Sequence, residues 1–220
     1  MTITLRPGST VMFTGDSITD GQRLESEEGL GFGYPLRVAG EWGLRHPDRA
    51  VTWLNSGNAA DKVLDLEARW QKDVLDARPE VVSILVGMND VGWHTYDPDG
   101  HVIPTEEYAA GYDRLLAPLA EAGTDLILVE PFLLPIRGSV EVGDTILDEE
   151  VRRAWRTDLD PKIQAVRELA RKYGAYLLAA DGMFAELAAT TGPEYWAADG
   201  VHPTPAGHAA LAAAWLRLVG

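Results

Sequence analysis

A serine, a histidine and an aspartate in this chain stand where they could share one reaction. Ser17 lies in Thr14-Gly15-Asp16-Ser17-Ile18-Thr19, directly after the apolar run Val11-Met12-Phe13. Asp199 and His202 lie in Asp199-Gly200-Val201-His202-Pro203. A serine hydroxyl is a weak nucleophile until a base takes its proton during attack. Imidazole titrates near neutral pH, so His202 suits that base. An aspartate three residues earlier can receive the Nδ1 proton, fix the tautomer and steady the imidazolium that forms. Attack on an ester carbonyl also creates an oxyanion, which needs preorganised donors. The candidates are the backbone N–H of Ser17, the backbone N–H of Gly57 in Asn55-Ser56-Gly57-Asn58, and the side-chain amide of Asn89 in Gly87-Met88-Asn89-Asp90. Losing one such donor typically costs about 3–4 kcal/mol of barrier. Gly57 fits because a missing Cβ leaves room for substrate beside the backbone.

Each fragment alone has a plainer meaning. Asp16-Ser17 is the sort of pair that caps a helix, and Asn89-Asp90 is a common turn pair. Asp16 is read as holding its turn rather than as a catalytic acid. His208 competes with His202 for the base role, but it falls inside an expected helix, four residues past Thr204. His46, His94 and His101 have no partner motif. No histidine–carboxylate spacing such as H-E-x-x-H occurs, so no metal is expected. Gly29-Leu30-Gly31-Phe32-Gly33 does not have the G-x-G-x-x-G spacing and no strand immediately precedes it, which disfavours dinucleotide binding. No G-x-S-x-G elbow surrounds Ser17, which disfavours the α/β-hydrolase fold.

The elements that must position these residues are visible as alternating patterns. Five short apolar, β-branched-rich runs read as strands: Thr10–Thr14, Val51–Leu54, Val81–Val86, Asp125–Glu130 and Ala175–Ala179. Between them lie stretches with helical spacing. Val63, Leu64, Leu66, Trp70, Val74 and Leu75 form one amphipathic face, with Asp61 near the start and Pro79 as the stop. A second helix is expected with Thr105 as N-cap and Gly123 at its end, bent or shortened by Pro118. A third runs from about Asp148 to Tyr173 with a break at Pro161, and a last one begins at Thr204-Pro205. Strands alternating with helices of this length imply a parallel sheet covered on both faces, a doubly wound three-layer α/β/α sandwich. In such sheets sites gather beyond the carboxyl ends of the strands. The loops carrying Ser17, Gly57, Asn89, Asp199 and His202 all fall on that rim.

Composition narrows the partners. The chain has 220 residues and reads as one domain, residues 1–220. A formal net charge of −15 disfavours nucleic acid and anionic membranes as partners. No apolar stretch is long enough to cross a bilayer. The first residues, MTITLRPGSTVMF, lack the apolar core of a secretory signal, and the chain has no cysteine, so a cytoplasmic location is expected. Trp53, Trp70 and Trp215 fall at core positions. Trp93, just after Asn89, and Trp196, just before Asp199, fall in site loops and are candidates to pack against a sugar ring.

The blocks FTGDSITDG, NSGNAAD, VGMNDV and DGVHP, in this order, resemble the four sequence blocks of the SGNH-hydrolase (GDSL esterase) superfamily. The resemblance implies a flavodoxin-like five-stranded parallel sheet. It implies Ser17 as nucleophile, Gly57 and Asn89 as oxyanion donors, and Asp199 with His202 completing the triad. One departure is Ala60, where the second block often carries another glycine. GLGFGYP, DLEARWQKDVLDARPEVVSILVGMNDVGW and DGVHPTPAGH are further similar to the intracellular bacterial acetylxylan esterases of that superfamily. That branch implies deacetylation of xylose units in small imported oligosaccharides, no cofactor, and self-association into homo-oligomers. The alternatives are a broad short-chain carboxylesterase, thioesterase or lysophospholipase on the same scaffold, and a non-catalytic carbohydrate-binding protein.

Overall fold

The computed structural model describes residues 2–91, 102–142 and 145–220. In chain order its elements are β1 (Thr10–Gly15), α1 (Ser17–Asp20), α2 (Tyr34–Arg45), β2 (Thr52–Asn55), α3 (Val63–Asp73), β3 (Val81–Leu85), α4 (Thr105–Glu121), β4 (Asp125–Val129), β5 (Val140–Val142), β6 (Thr145–Leu147), α5 (Glu149–Tyr173), β7 (Tyr176–Leu178), α6 (Ala180–Thr191) and α7 (Pro205–Leu216). Five strands make the main sheet in the order β2-β1-β3-β4-β7. All its pairings are parallel, with Val11 opposite both Trp53 and Val81, Val82 opposite Leu126, and Leu128 opposite Leu177.

The period-two alternation of strand side chains decides which helices cover which face. Val11, Phe13, Val81 and Leu85 point to one side, where they pack with Val38 and Trp42 of α2, Phe184 of α6, and Leu211 and Trp215 of α7. Met12, Val82 and Ile84 point to the other, against Leu66 and Trp70 of α3, Tyr112 and Leu115 of α4, and Val166 and Leu169 of α5. Each fully buried aliphatic or aromatic side chain contributes about 1.5–3 kcal/mol relative to exposure. Trp215 is fully buried, and its indole N–H donates to Ser83 Oγ at 3.0 Å, fixing the last helix to the central strand.

Several boundaries differ from expectation. Thr105 is the first helical residue of α4, and Pro104 holds the capping position. α4 continues through Pro118, and α5 runs unbroken through Pro161. A proline removes one N–H and frees the carbonyl four residues earlier. Here those carbonyls belong to Arg114 and Thr157, both exposed, so water can satisfy them. Helices α2 and α6 and the antiparallel hairpin β5–β6 were not among the expected elements.

Candidate active site

β1 ends at Gly15, and Asp16 then turns the chain into the four-residue helix α1. Asp16 caps that helix, its Oδ1 accepting the Ile18 N–H at 3.0 Å. Ser17, the first helical residue, is thereby held at the carboxyl end of a central strand. Its Oγ lies 3.0 Å from His202 Nε2. His202 Nδ1 lies 2.7 Å from Asp199 Oδ2. The other carboxylate oxygen of Asp199 accepts the backbone N–H groups of Val201 at 2.8 Å and His202 at 2.7 Å. One carboxylate therefore grips both the ring and the main chain of the histidine. With the Nδ1 proton donated to Asp199, Nε2 is left to accept the Ser17 hydroxyl.

The two nearby imidazoles are tuned in opposite directions. The hydrogen bond to Asp199 outweighs burial and raises His202 above the ordinary imidazole value, with the Asp199 and Asp16 charges adding to it. Burial alone would push the Asp199 carboxyl up, but its bonds to the His202 ring and to backbone N–H groups, with the imidazolium charge, hold it below the usual range. His208 has no such carboxylate. Burial, with Arg37 and His202 nearby, pushes it down to about 4, and among the described residues its Nδ1 has no hydrogen-bond partner. That separates the two histidines left in competition by the sequence. Asp16 is fully enclosed; burial raises its carboxyl to about 7 despite the Ile18 N–H.

The loops after β2 and β3 are stitched to each other. Asn89 Nδ2 donates to the Asp61 carbonyl at 3.1 Å, and the neighbouring Asp90 Oδ1 accepts the Val63 N–H at 3.1 Å, docking the start of α3. Burial lifts the Asp90 carboxyl to about 7, against that N–H bond and the Lys162 charge. Asn58 N–H donates to the Gly15 carbonyl at 3.0 Å, tying the second loop to the strand that presents Ser17.

Gly57 sits differently from the sequence expectation. Its N–H donates to Asn55 Oδ1 at 2.8 Å. A Cβ there would lie 2.4 Å from the Asp20 nitrogen, so the glycine is required by the close approach of α1 rather than by room for substrate. Three residues on, Ala60 has φ +68°, a left-handed conformation unusual for a residue with a Cβ. Its N–H has no acceptor among the described residues, and neither does that of Ser17. Ala60 is bracketed by Asn58, tied to Gly15, and Asp61, tied to Asn89. The only signal for it in the sequence was the departure from glycine at this position.

Trp196 donates its indole N–H to Thr191 Oγ1 at 2.7 Å and packs edge-on against Tyr195, with ring centroids 4.9 Å apart. Tyr195 itself is exposed. Trp93, with His94 and His101, lies outside the described residues. Among the described residues no cluster of His, Asp and Glu is disposed to hold a metal ion, and no helix is long and apolar enough to cross a membrane.

A parallel five-stranded sheet with a hydroxyl–imidazole–carboxylate chain on its carboxyl rim is the framework of an ester hydrolase. The chain belongs to the GDSL-like lipase/acylhydrolase family, whose model matches residues 13–210, and it is a carboxylic ester hydrolase of that family. It is 34% identical over 222 residues to an acetylxylan esterase of Geobacillus stearothermophilus, covering 97% of this chain and 94% of that protein. The crystal structure of Axe2, an acetylxylan esterase from the same organism, superposes with a TM-score of 0.80 at 33% identity, over 97% of this chain and 94% of that one. LAE5, an alpha/beta hydrolase enzyme from the metagenome of Lake Arreo in Spain, gives 0.82 at 30% identity, over 97% and 95%.

Proposed function

We propose that this esterase removes acetyl groups from small carbohydrates, acetylated xylo-oligosaccharides above all, through an acetyl-Ser17 intermediate. The observation that carries the mechanism is the continuous chain from Ser17 Oγ to His202 at 3.0 Å and on to Asp199 at 2.7 Å. Ser17 Oγ attacks the acetyl carbonyl as Nε2 takes its proton. The oxyanion is met by the Ser17 N–H, the Asn89 amide and, in place of the Gly57 N–H expected from the sequence, the N–H of Ala60. Collapse expels the sugar hydroxyl, which recovers the proton from Nε2. Water, deprotonated by the same nitrogen, then releases acetate and restores Ser17. Asp199 stays ionised throughout and stabilises the imidazolium.

The acetylxylan esterase relative supports the sugar acetate as substrate. In this reading the chain acts as a single domain in the cytoplasm and as a homo-oligomer. Covalent labelling by a fluorophosphonate tests the nucleophile: folded protein should be labelled at Ser17, and the Ser17→Ala protein should not. Unlabelled folded protein would return the reading to a carbohydrate-binding protein. Mass spectrometry of acetylated xylo-oligosaccharides after incubation tests the substrate. Equal turnover of acetyl, hexanoyl and thioester substrates would replace it with a broad carboxylesterase.

A further inference from the structure

A second site candidate lies behind the triad loop. The segment from Leu133 to Arg137 and the first two turns of α5 enclose a cleft of about 590 Å³. Four arginines line it, Arg137, Arg152, Arg153 and Arg156, in a chain whose formal net charge is −15. Arg152 is only 5% exposed, and its guanidinium donates to two backbone carbonyls, Leu147 O at 2.7 Å and Gly138 O. Among the described residues no carboxylate forms an ion pair with it. Among the described residues the one acid lining the cleft, Glu149, accepts the Gly138 N–H at 3.1 Å. Arg156 is matched, bidentate to Asp181 at 2.6 and 2.7 Å and paired to Asp160. Arg137 and Arg153 are exposed, and neither guanidinium has a partner among the described residues.

Burying a guanidinium without an opposing charge is costly, and buried charges ordinarily meet one. Here that charge faces a cleft, flanked by two further unmatched forks. A guanidinium fork pairs two-fold with the planar oxygens of a carboxylate. The opposite wall is Leu133, Leu134, Pro135 and Ile136, which suits an anion with an organic body better than a bare mineral ion. The volume is ample for one sugar ring.

We propose that this cleft binds a carboxylate, and that a sugar acid is the form it takes best. The carboxylate site stands on the arginines alone; the sugar body rests on the esterase reading above. The cleft adjoins the triad from behind. Leu134 N–H donates to the Gly200 carbonyl at 2.8 Å, and a Cβ on Gly200, at φ +86°, would lie 2.8 Å from the Leu134 carbonyl. The loop that follows Asp199 therefore rests on the same wall that a ligand would touch.

Isothermal titration calorimetry of the full chain tests the proposal, with D-glucuronate, acetate, inorganic phosphate and neutral D-xylose as probes. D-glucuronate should bind saturably while D-xylose does not. The Arg137→Gln/Arg153→Gln double variant, changed only at exposed side chains, should bind it at least about tenfold more weakly. Acetate binding as tightly as D-glucuronate would support the carboxylate site and assign it to the hydrolysis product; tighter D-glucuronate binding would assign it to an acidic sugar. No saturable binding of either carboxylate, unchanged affinity in the double variant, or a preference for phosphate would overturn it. Nitrophenyl acetate turnover in the same samples reports Ser17 chemistry separately, so each proposal can fail without the other.

Discussion

The two ends of the sheet differ in what they enclose and in what they can do. At the amino ends of the strands lies a hollow of about 810 Å³, lined by Arg6, Arg78, Glu80 and Thr124 among others. Its polar groups serve the scaffold: Glu80 Oε2 accepts the Thr10 N–H at 2.6 Å, and Thr124 Oγ1 donates to the Pro79 carbonyl. At the carboxyl ends a hydroxyl, an imidazole and a carboxylate are joined in one hydrogen-bonded chain. Strand direction explains the division, since every strand of the main sheet delivers its following loop to the same rim.

The largest test of the contrast removes the chain at one end and a charge at the other. Ser17→Ala or His202→Ala should lower kcat for an acetyl ester by about a thousandfold to a millionfold. Arg78→Ala, at the amino end, should leave it within about twofold. Steady-state kinetics with circular dichroism as a folding control decides it, and a matching loss in Arg78→Ala would break the contrast. Next in size, Asp199→Asn should cost up to about 10⁴ in kcat. It should also move the pH profile. In the proposed mechanism His202 works unprotonated, and Asp199 raises it, so the acid limb of the parent should lie above the ordinary imidazole value. Without the carboxylate, burial dominates and the limb shifts to lower pH. An unshifted limb would mean that another group sets it.

Smaller effects sharpen the account of the rim itself. Asn89→Ala should reduce kcat about a hundredfold to a thousandfold with little change in KM. Ala60→Gly keeps the backbone N–H and relieves the positive φ, so kcat should hold while stability changes by no more than about 1 kcal/mol. Gly57→Ala should instead lower the melting temperature, because its Cβ would collide with the Asp20 nitrogen. If Gly57→Ala folded normally and lost only kcat, the oxyanion donor would belong to Gly57 after all.

The residues best read from the sequence were those whose signal is local. The runs at β1, β3 and β4 were legible because both faces of the sheet are buried there, leaving continuous apolar stretches. α2 was legible in principle, with Pro35 in its first turn and Tyr34, Val38 and Trp42 buried at helical spacing, but glycines and charged residues between them diluted the pattern. α6 is mostly apolar and Ala-rich, so no clean stripe marks it. The hairpin strands are three residues each, too short for periodicity to register. Nothing in the sequence says that Asn55 reaches forward two residues to take the Gly57 N–H, or that α1 fills the space above it.

Asp199 and His202 are three residues apart, whereas Ser17 meets His202 across 185 positions. Asp199 and His202 thus lie on a short segment that can organise itself early, and Ser17 must wait until the first strand and the final helix have been brought together. Bringing distant parts of a chain together costs loop-closure entropy before the contact repays it, which slows folding. Enzyme diluted from denaturant should recover its helical signal before it recovers turnover, and the interval measures the closing of that one gap.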